Sequence, residues 1–325
     1  MNLAEIKAQT GAVGLRLLAV GAAVPGQPIT NDQLAMRVDT SDEWIVSRTG
    51  IGARHFCTDE SNLDLAAAAA QQAMARAQIL PQEIGVVIVA TFTPDQLSPS
   101  MACGLRTRLG LAQDVTVFDL NAACAGFLYG LHTARQLLLA DSRPYALVVG
   151  SEAVSRVLDF DDRSTCVLFG DGAGAAVLQL TTDRPFYWLG GSRADAEGWL
   201  GCSGLLAGHR PAVYMHGQEV FRFAVEVIPQ CIGQLLQQAC LDLSDIDFVV
   251  CHQANRRIIN HVVKRLKARP EQFFVNLEGY GNTSSASIPL ALNDMWEKGL
   301  LKPGRRLICV GFGAGFTWSA CLLEW

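Results

Sequence analysis

The chain has 325 residues, of which 50% are hydrophobic and 18% charged, and its formal net charge is −5. That is enough apolar material for one large core or two domains of about 150 residues. The negative charge argues against a general nucleic-acid binder, and no run approaches the roughly 20 apolar residues of a membrane span.

Taken in chain order, Thr40-x-x-Glu43 reads as a capping box that opens a helix carrying Trp44 and Arg48. An Ala-rich helix at 63–79 precedes a buried strand at 86–91. A helix at 100–109 precedes a strand at 115–120, and a helix at 125–140 precedes one at 146–151. The order then repeats. A helix at 219–241 leads to a strand at 247–253, a helix at 255–268 to a strand at 273–279, and a helix at 284–298 to a strand at 306–312. Each half also holds G-x-G-A-G, as "GDGAG" (170–174) and "GFGAG" (311–315), followed by an apolar strand. The alternation predicts an α/β fold with mostly parallel sheets. The repetition predicts two duplicated halves, 1–182 and 183–325, joined near 181–190.

The ten cysteines contain no C-x-x-C pair and no zinc-finger spacing, so no metal site is expected. Most read as small buried hydrophobes in a reducing compartment. The first residues carry Glu5 and lack a basic segment followed by a long apolar one, so the expected location is cytoplasmic. Cys124 differs by its place in "FDLNAACAGFLYGL", between a predicted strand and a predicted helix. Unpaired N–H groups and the dipole at a helix start favour an anion, which predicts a lowered thiol pKa. The carboxyl ends of strands host ligands in open α/β sheets. Cys124, His252, Asn282 and the 311–315 loop all fall at such ends and are expected to meet. A thiolate there suits acyl transfer. His252 and Asn282 can donate to a carbonyl oxygen gaining charge, and backbone N–H groups of Cys124 and the glycine loop can form an oxyanion hole. Each feature alone also has a plain reading: a packed cysteine, a satisfied core histidine, a capped turn, a glycine-rich turn.

Together, "NAACAGF" (121–127), "HQANRRII" (252–259) and "GNTSSASIPLAL" (281–292) resemble the signature blocks of β-ketoacyl-acyl-carrier-protein synthase III. "DTSDEWIVSRTGI", "FGDGAGAAVL", "GQEVFRFAV" and "GFGAGFTW" resemble that family in the same order. The resemblance spans nearly the whole chain. It implies the thiolase fold, two duplicated α/β halves in an αβαβα layering, and a homodimer. It implies that Cys124 takes an acyl group from acyl-coenzyme A as a thioester. Malonyl-acyl carrier protein then loses carbon dioxide while His252 and Asn282 stabilise the enolate, and the carbanion attacks the acyl carbon. Backbone N–H groups of Cys124 and Ala314 would hold the oxyanion; the family usually has Gly at the latter position. No cofactor is implied beyond the coenzyme A thioester itself. Trp44 and Arg163 would stack on adenine, Arg48 would sit near the phosphates, and Phe221 and Asn255 would line the pantetheine tunnel. Where many relatives carry a Phe that closes the acyl pocket across the dimer, this chain has Leu97 and Ser98, which predicts room for a longer or branched acyl group.

Residues 255–269 form an amphipathic pattern with Arg256, Arg257 and Lys264 among six positive charges and no acid. With Arg222 this reads either as a solvated face or as a docking surface for the acidic carrier protein. Three other functions share parts of the pattern. One is a condensing enzyme of secondary metabolism on the same fold. Another is a biosynthetic thiolase, which needs a second catalytic cysteine where Ala314 stands. The third is a non-catalytic module binding acyl-coenzyme A or carrier protein.

Overall fold

The computed structural model describes residues 13–204, 208 and 210–325. β1 (Gly14–Ala23) is followed by a two-stranded ribbon of β2 (Ile29–Thr30) and β3 (Ala53–Arg54). β4 (Ile84–Ala90), β5 (Thr116–Leu120), β6 (Tyr145–Glu152) and β7 (Gly172–Thr181) complete a five-stranded sheet in the order β1-β7-β6-β4-β5. β8 (Phe186–Ser192) opens the second half, and β9 (Leu200–Cys202) pairs with β10 (Val213–Met215). β11 (Phe248–Cys251), β12 (Arg306–Gly313) and β13 (Thr317–Glu324) join β8 in a four-stranded sheet, ordered β8-β13-β12-β11 when read from β8.

The two sheets repeat one topology. In each, the first two pairings are antiparallel (β1–β7 and β7–β6; β8–β13 and β13–β12). The next is parallel (β6–β4; β12–β11). The sheets are therefore mixed rather than mostly parallel. Residues 314–316 between β12 and β13 are too few for the crossover that parallel pairing needs.

One predicted strand is also absent. The segment 273–279 makes a single parallel bridge, Phe273 beside Val249, with the Phe274 N–H donating to the Val249 carbonyl at 3.0 Å. Asn276 is then drawn off the sheet edge. Its N–H donates to Gln253 Oε1 (3.1 Å) and its side-chain amide to Asp294 Oδ2 (3.0 Å), and the helix Leu277–Tyr280 follows. The bridge still stands where β5 stands in the first sheet.

Helices cover both sheets on both sides, giving five layers and three cores. Asn62–Ala77 and Met101–Arg108 pack outside the first sheet, against Val87, Val89 and Leu147. Gly217–Ala239 and Arg256–Leu266 pack outside the second, against Val249, Cys251 and Ile308. Gly126–Leu138 and Ser287–Glu297 lie between the sheets, against Val86, Ile88, Val148, Val250 and Cys309. Successive residues of β4 and β11 thus enter different cores, which is why those strands read as unbroken apolar runs. Among the described residues no helix is long and apolar enough to cross a membrane.

Candidate active site

Both central helices begin with the same turn. After β5 the chain passes through a short 3-10 turn, Ala123–Ala125, with Ala123 at φ 47°, and enters Gly126–Leu138. In the other half the turn is Ser284–Ala286, with Ser284 at φ 49°, before Ser287–Glu297. Asn121 Oδ1 accepts from the Ala123 N–H (3.1 Å), and Asn282 Oδ1 accepts from the Ser284 N–H (2.9 Å). The segments 121–127 and 282–288 therefore correspond residue for residue, and Cys124 corresponds to Ser285. The same register is visible in the sequence as N-A-A-C-A against N-T-S-S-A.

Cys124, His252, Asn282 and Ala314 line one cavity of about 490 Å³. What brings the glycine loop to Cys124 is the absence of a side chain at Gly311 and Gly313 of β12. A Cβ on Gly311 would lie 3.0 Å from Ala125 Cα, and one on Gly313 2.7 Å from the Cys124 nitrogen. Neither glycine has a positive φ; the requirement is close approach of backbones.

His252 follows β11, anchored by its N–H donating to the Val310 carbonyl (2.7 Å), and is 2% exposed. Its Nδ1 lies 2.6 Å from Ser287 Oγ. Ser287 Oγ also accepts from the Gln253 N–H at 3.4 Å, which leaves the hydroxyl proton for Nδ1. The imidazole proton then sits on Nε2, available to the cavity that His252 lines. Burial pushes the His252 pKa down to about 3, so the ring is neutral at physiological pH. Asn282 is fixed in the same way. Its oxygen is held by the Ser284 N–H, so its NH₂ is the group left for the cavity. Two neutral donors thus share a wall with the thiol.

Cys124 departs from expectation. Burial pushes its thiol up to about 12; the Ser284 hydroxyl pulls the other way, and the Glu152 carboxylate adds to the rise. Burial outweighs the helix terminus. At rest Cys124 is a thiol, and its proton must leave before the sulfur can act as a nucleophile.

A second cavity of about 360 Å³ shares Leu168, Gly217, Phe221 and Asn255 with the first and extends it toward Trp44, Arg48 and Arg257. The guanidinium carbons of Arg48 and Arg163 lie 4.5 and 4.9 Å from the Trp44 ring centroid. The cap of that helix is Ser41, accepting from the Trp44 N–H at 3.2 Å, and not Thr40, whose buried hydroxyl has no partner. Leu97 lines the main cavity; Ser98 is exposed and is not on its wall. The basic face is less free than its sequence suggests. Arg222 pairs with Glu219 (2.6 Å) and Arg256 with Glu278 (3.0 Å). Arg257 and Lys264 are exposed and enter no ion pair among the described residues.

Residues 236–325 match the C-terminal family of 3-oxoacyl-[acyl-carrier-protein (ACP)] synthase III, and residues 118–198 match the 3-oxoacyl-[acyl-carrier-protein (ACP)] synthase III family. The chain is 42% identical over 323 residues to the β-ketoacyl-[acyl-carrier-protein] synthase III of Clostridium acetobutylicum, covering 96% of this chain and 98% of that one. The crystal structure of the synthase III from Aquifex aeolicus VF5 superposes with a TM-score of 0.91 at 37% identity, over 96% of this chain and 100% of that one. The Pseudomonas aeruginosa PAO1 enzyme gives 0.90 at 37%, over 96% and 98%. The five layers are the thiolase fold, and the chain belongs to the β-ketoacyl-acyl-carrier-protein synthase III family.

Proposed function

We propose that this protein condenses an acyl-coenzyme A with malonyl-acyl carrier protein, with loss of carbon dioxide, to give the β-ketoacyl-carrier protein that starts fatty-acid synthesis. The observation that carries this reading is one cavity wall presenting a cysteine thiol and two neutral donors, His252 Nε2–H and the Asn282 NH₂. Cys124 takes the acyl group, with its own N–H and that of Ala314 directed at the oxyanion. Malonyl-carrier protein then loses carbon dioxide, and the two donors meet the charge that develops on the thioester oxygen. Neutral donors in an enclosed site favour this step, because they are fixed before charge appears and are not themselves charged at rest. The thioester supplies the activation, so no cofactor takes part.

Coenzyme A fits the outer cavity. Its adenine would take the place of the Arg163 guanidinium on Trp44, Arg48 would meet phosphate, and Phe221 and Asn255 would flank the pantetheine arm. Arg257 and Lys264, which enter no ion pair among the described residues, supply the free docking charge for an acidic carrier protein. Leu97 leaves a wall open to donors longer than acetyl; a sharp preference for acetyl- over hexanoyl-coenzyme A would rule that out. A homodimer is supported by β5, an edge strand whose Val117, Phe118 and Leu120 are only half-buried while the neighbouring β4 is buried throughout. Light scattering giving one-chain mass would refute it. The ten free cysteines fit a reducing cytoplasm.

The deciding experiment is intact mass after incubation with acetyl- and longer acyl-coenzyme A. An acyl adduct on the protein, absent in Cys124→Ala, is expected. No adduct with any donor would leave only a binding role.

A further inference from the structure

Thr317 opens β13, is not on the cavity wall that Cys124 and Ala314 share, and has no part in the chemistry described above. That wall offers two backbone donors. In the Cys124 turn the Ala123 N–H is taken by Asn121 Oδ1 (3.1 Å) and the Ala125 N–H by the Ala122 carbonyl (3.1 Å). The Cys124 N–H between them makes no hydrogen bond to another of the described residues, and neither does the Ala314 N–H. One donor comes from each half of the chain, so the two halves must be held in register at this point. The Thr317 hydroxyl makes that connection. Its Oγ1 lies 3.0 Å from the carbonyl oxygen of Ala122, 195 residues away in sequence, and 3.0 Å from the carbonyl oxygen of Ala314. The hydroxyl has one proton and both carbonyls only accept, so the proton is shared between them.

We propose that Thr317 is the positioning residue of the oxyanion hole: its hydroxyl fixes the Cys124 and Ala314 N–H groups relative to each other by holding the carbonyls of Ala122 and Ala314 together. This rests on the condensing activity proposed above. Each contact acts on the backbone beside a donor. Ala314 is held on both sides, because Gly313 before it registers with Thr317 across the β12–β13 hairpin and its own carbonyl meets the Thr317 hydroxyl. The Ala122 carbonyl already closes the 3-10 turn through the Ala125 N–H, so a second donor there ties the turn to the opposite half. An oxyanion hole works when its donors are fixed before charge appears, about 2.7–3.1 Å from the oxygen. Two donors on separate segments meet that condition only when the segments are tied.

The surroundings give the hydroxyl its direction. The Thr317 methyl lies against Gly315, where an added Cβ would be 2.9 Å from it, and the hydroxyl is left facing the turn. The residues after Ala314 are tied elsewhere: the Asp195 N–H donates to the Gly315 carbonyl (3.0 Å) and the Arg193 N–H to the Phe316 carbonyl (2.8 Å). Removing the hydroxyl therefore frees the junction of Ala122 with Ala314 and leaves the rest of the loop attached. Val has the shape of Thr and suits a strand, so Thr317→Val takes away this junction alone. Thr317→Ser keeps the hydroxyl and loses the methyl that directs it.

The test compares wild type, Thr317→Val and Thr317→Ser on steps that use different donors. Acylation by acetyl-coenzyme A and carbon–carbon bond formation both place an oxyanion at the acyl carbon, whereas loss of carbon dioxide from malonyl-carrier protein is met by His252 and Asn282. Thr317→Val should acylate about tenfold more slowly, less than the roughly 10²–10³ lost when an oxyanion donor is removed outright. Carbon dioxide release on pre-acylated enzyme should change less than about twofold. The carbanion then outlives the slowed condensation and takes a proton from solvent. The variant should therefore release more carbon dioxide than it forms β-ketoacyl product, where wild type gives equal amounts. In isotope-edited infrared spectra of the acetyl-enzyme, the thioester carbonyl band should lie at higher frequency in Thr317→Val than in wild type, because its donors are less well placed. Thr317→Ser should recover part of both the rate and the band position. Equal slowing of acylation and carbon dioxide release with the band unmoved would reduce Thr317 to packing and overturn the proposal. So would a Val variant that acylates at the wild-type rate, and either result leaves the condensing function standing. A wild type that forms no acyl-enzyme would refute that function and the oxyanion hole with it.

Discussion

Ser287→Ala isolates the contact that sets the His252 tautomer. It removes the hydroxyl 2.6 Å from Nδ1 and leaves that nitrogen buried and unpaired. A neutral hydrogen bond is worth about 0.5–1.5 kcal/mol net, and an unsatisfied buried group costs about 1–3 kcal/mol. Phe312 packs edge-on against the imidazole at 5.3 Å between centroids, so the ring keeps its approximate orientation. The loss should therefore lie at the lower end, about 1.4 kcal/mol, or tenfold in rate. It should fall on one half-reaction. In the proposed reaction decarboxylation uses the proton on Nε2, whereas acyl transfer to Cys124 relies on backbone donors from a different part of the wall. Single-turnover release of carbon dioxide from malonyl-carrier protein on pre-acylated enzyme should slow about tenfold, while acylation followed by intact mass should change less than about twofold. Equal slowing of both steps would mean that Ser287 merely supports the site, and an unchanged decarboxylation rate would mean that the tautomer is set by something else.

Asn282→Asp keeps an oxygen for the Ser284 N–H but removes the donor and adds a charge where negative charge develops; decarboxylation should drop about 10²–10³-fold. Retained decarboxylation in that variant would remove Asn282 from the enolate site. Because burial holds His252 near 3, decarboxylation should show no inflection at the ordinary imidazole value of about 6.5, and a clear one there would show that the ring titrates normally. The same depressed value acts on stability. The unfolded chain binds the proton first as pH falls, so stability present above about 6.5 declines toward 3. The urea midpoint of wild type should drop more on acidification than that of His252→Ala, and parallel curves would count against the buried neutral ring. Gly313→Ala would set a Cβ 2.7 Å from the Cys124 nitrogen and 3.1 Å from Ala123 Cβ, so acylation should fall at least about tenfold as the oxyanion loop is displaced. Gly233→Ala, which meets nothing within 4 Å, is the control.

What the sequence showed plainly was order. Period and apolar runs placed the central strands and helices within a few residues, because β4, β6 and β12 are buried on both faces and signal strongly. The segment at 273–279 has the composition of a strand, but Asn276 is claimed by Gln253 and Asp294, partners 23 and 18 residues away that no local pattern reveals. The charged helix misled for a related reason. Arg256 is answered by Glu278, 22 residues on and outside the helix. Cys124, His252 and Asn282 were legible because each closes a strand or opens a helix. Glu152 was not: it ends the apolar run "ALVVGSE", and its hydroxyl partners lie 59 to 61 and 132 to 133 residues away. The thiol's raised pKa was hidden too, since burial depends on how the two halves close over the turn.

The duplication accounts for why a carboxylate fills the turn equivalent to that of Cys124. β6 and β12 are each eight residues long and hold equivalent places, so Gly150 corresponds to Gly311 and Glu152 to Gly313. Each strand end packs on the helix-opening turn of the opposite half. A Cβ on Gly311 would meet Ala125, and one on Gly150 would lie 2.3 Å from the Ser285 carbonyl oxygen. At Gly313 the missing side chain leaves the Cys124 turn open to the cavity. At the equivalent point on the other side, the Glu152 side chain reaches the turn and its Oε1 lies 3.1 and 2.9 Å from the hydroxyls of Ser284 and Ser285. One of two equivalent turns thus stays open for a substrate carbonyl, and the other is occupied by an oxygen of the protein's own. The two turns abut across the pseudo-twofold, so what fills the second also backs the first.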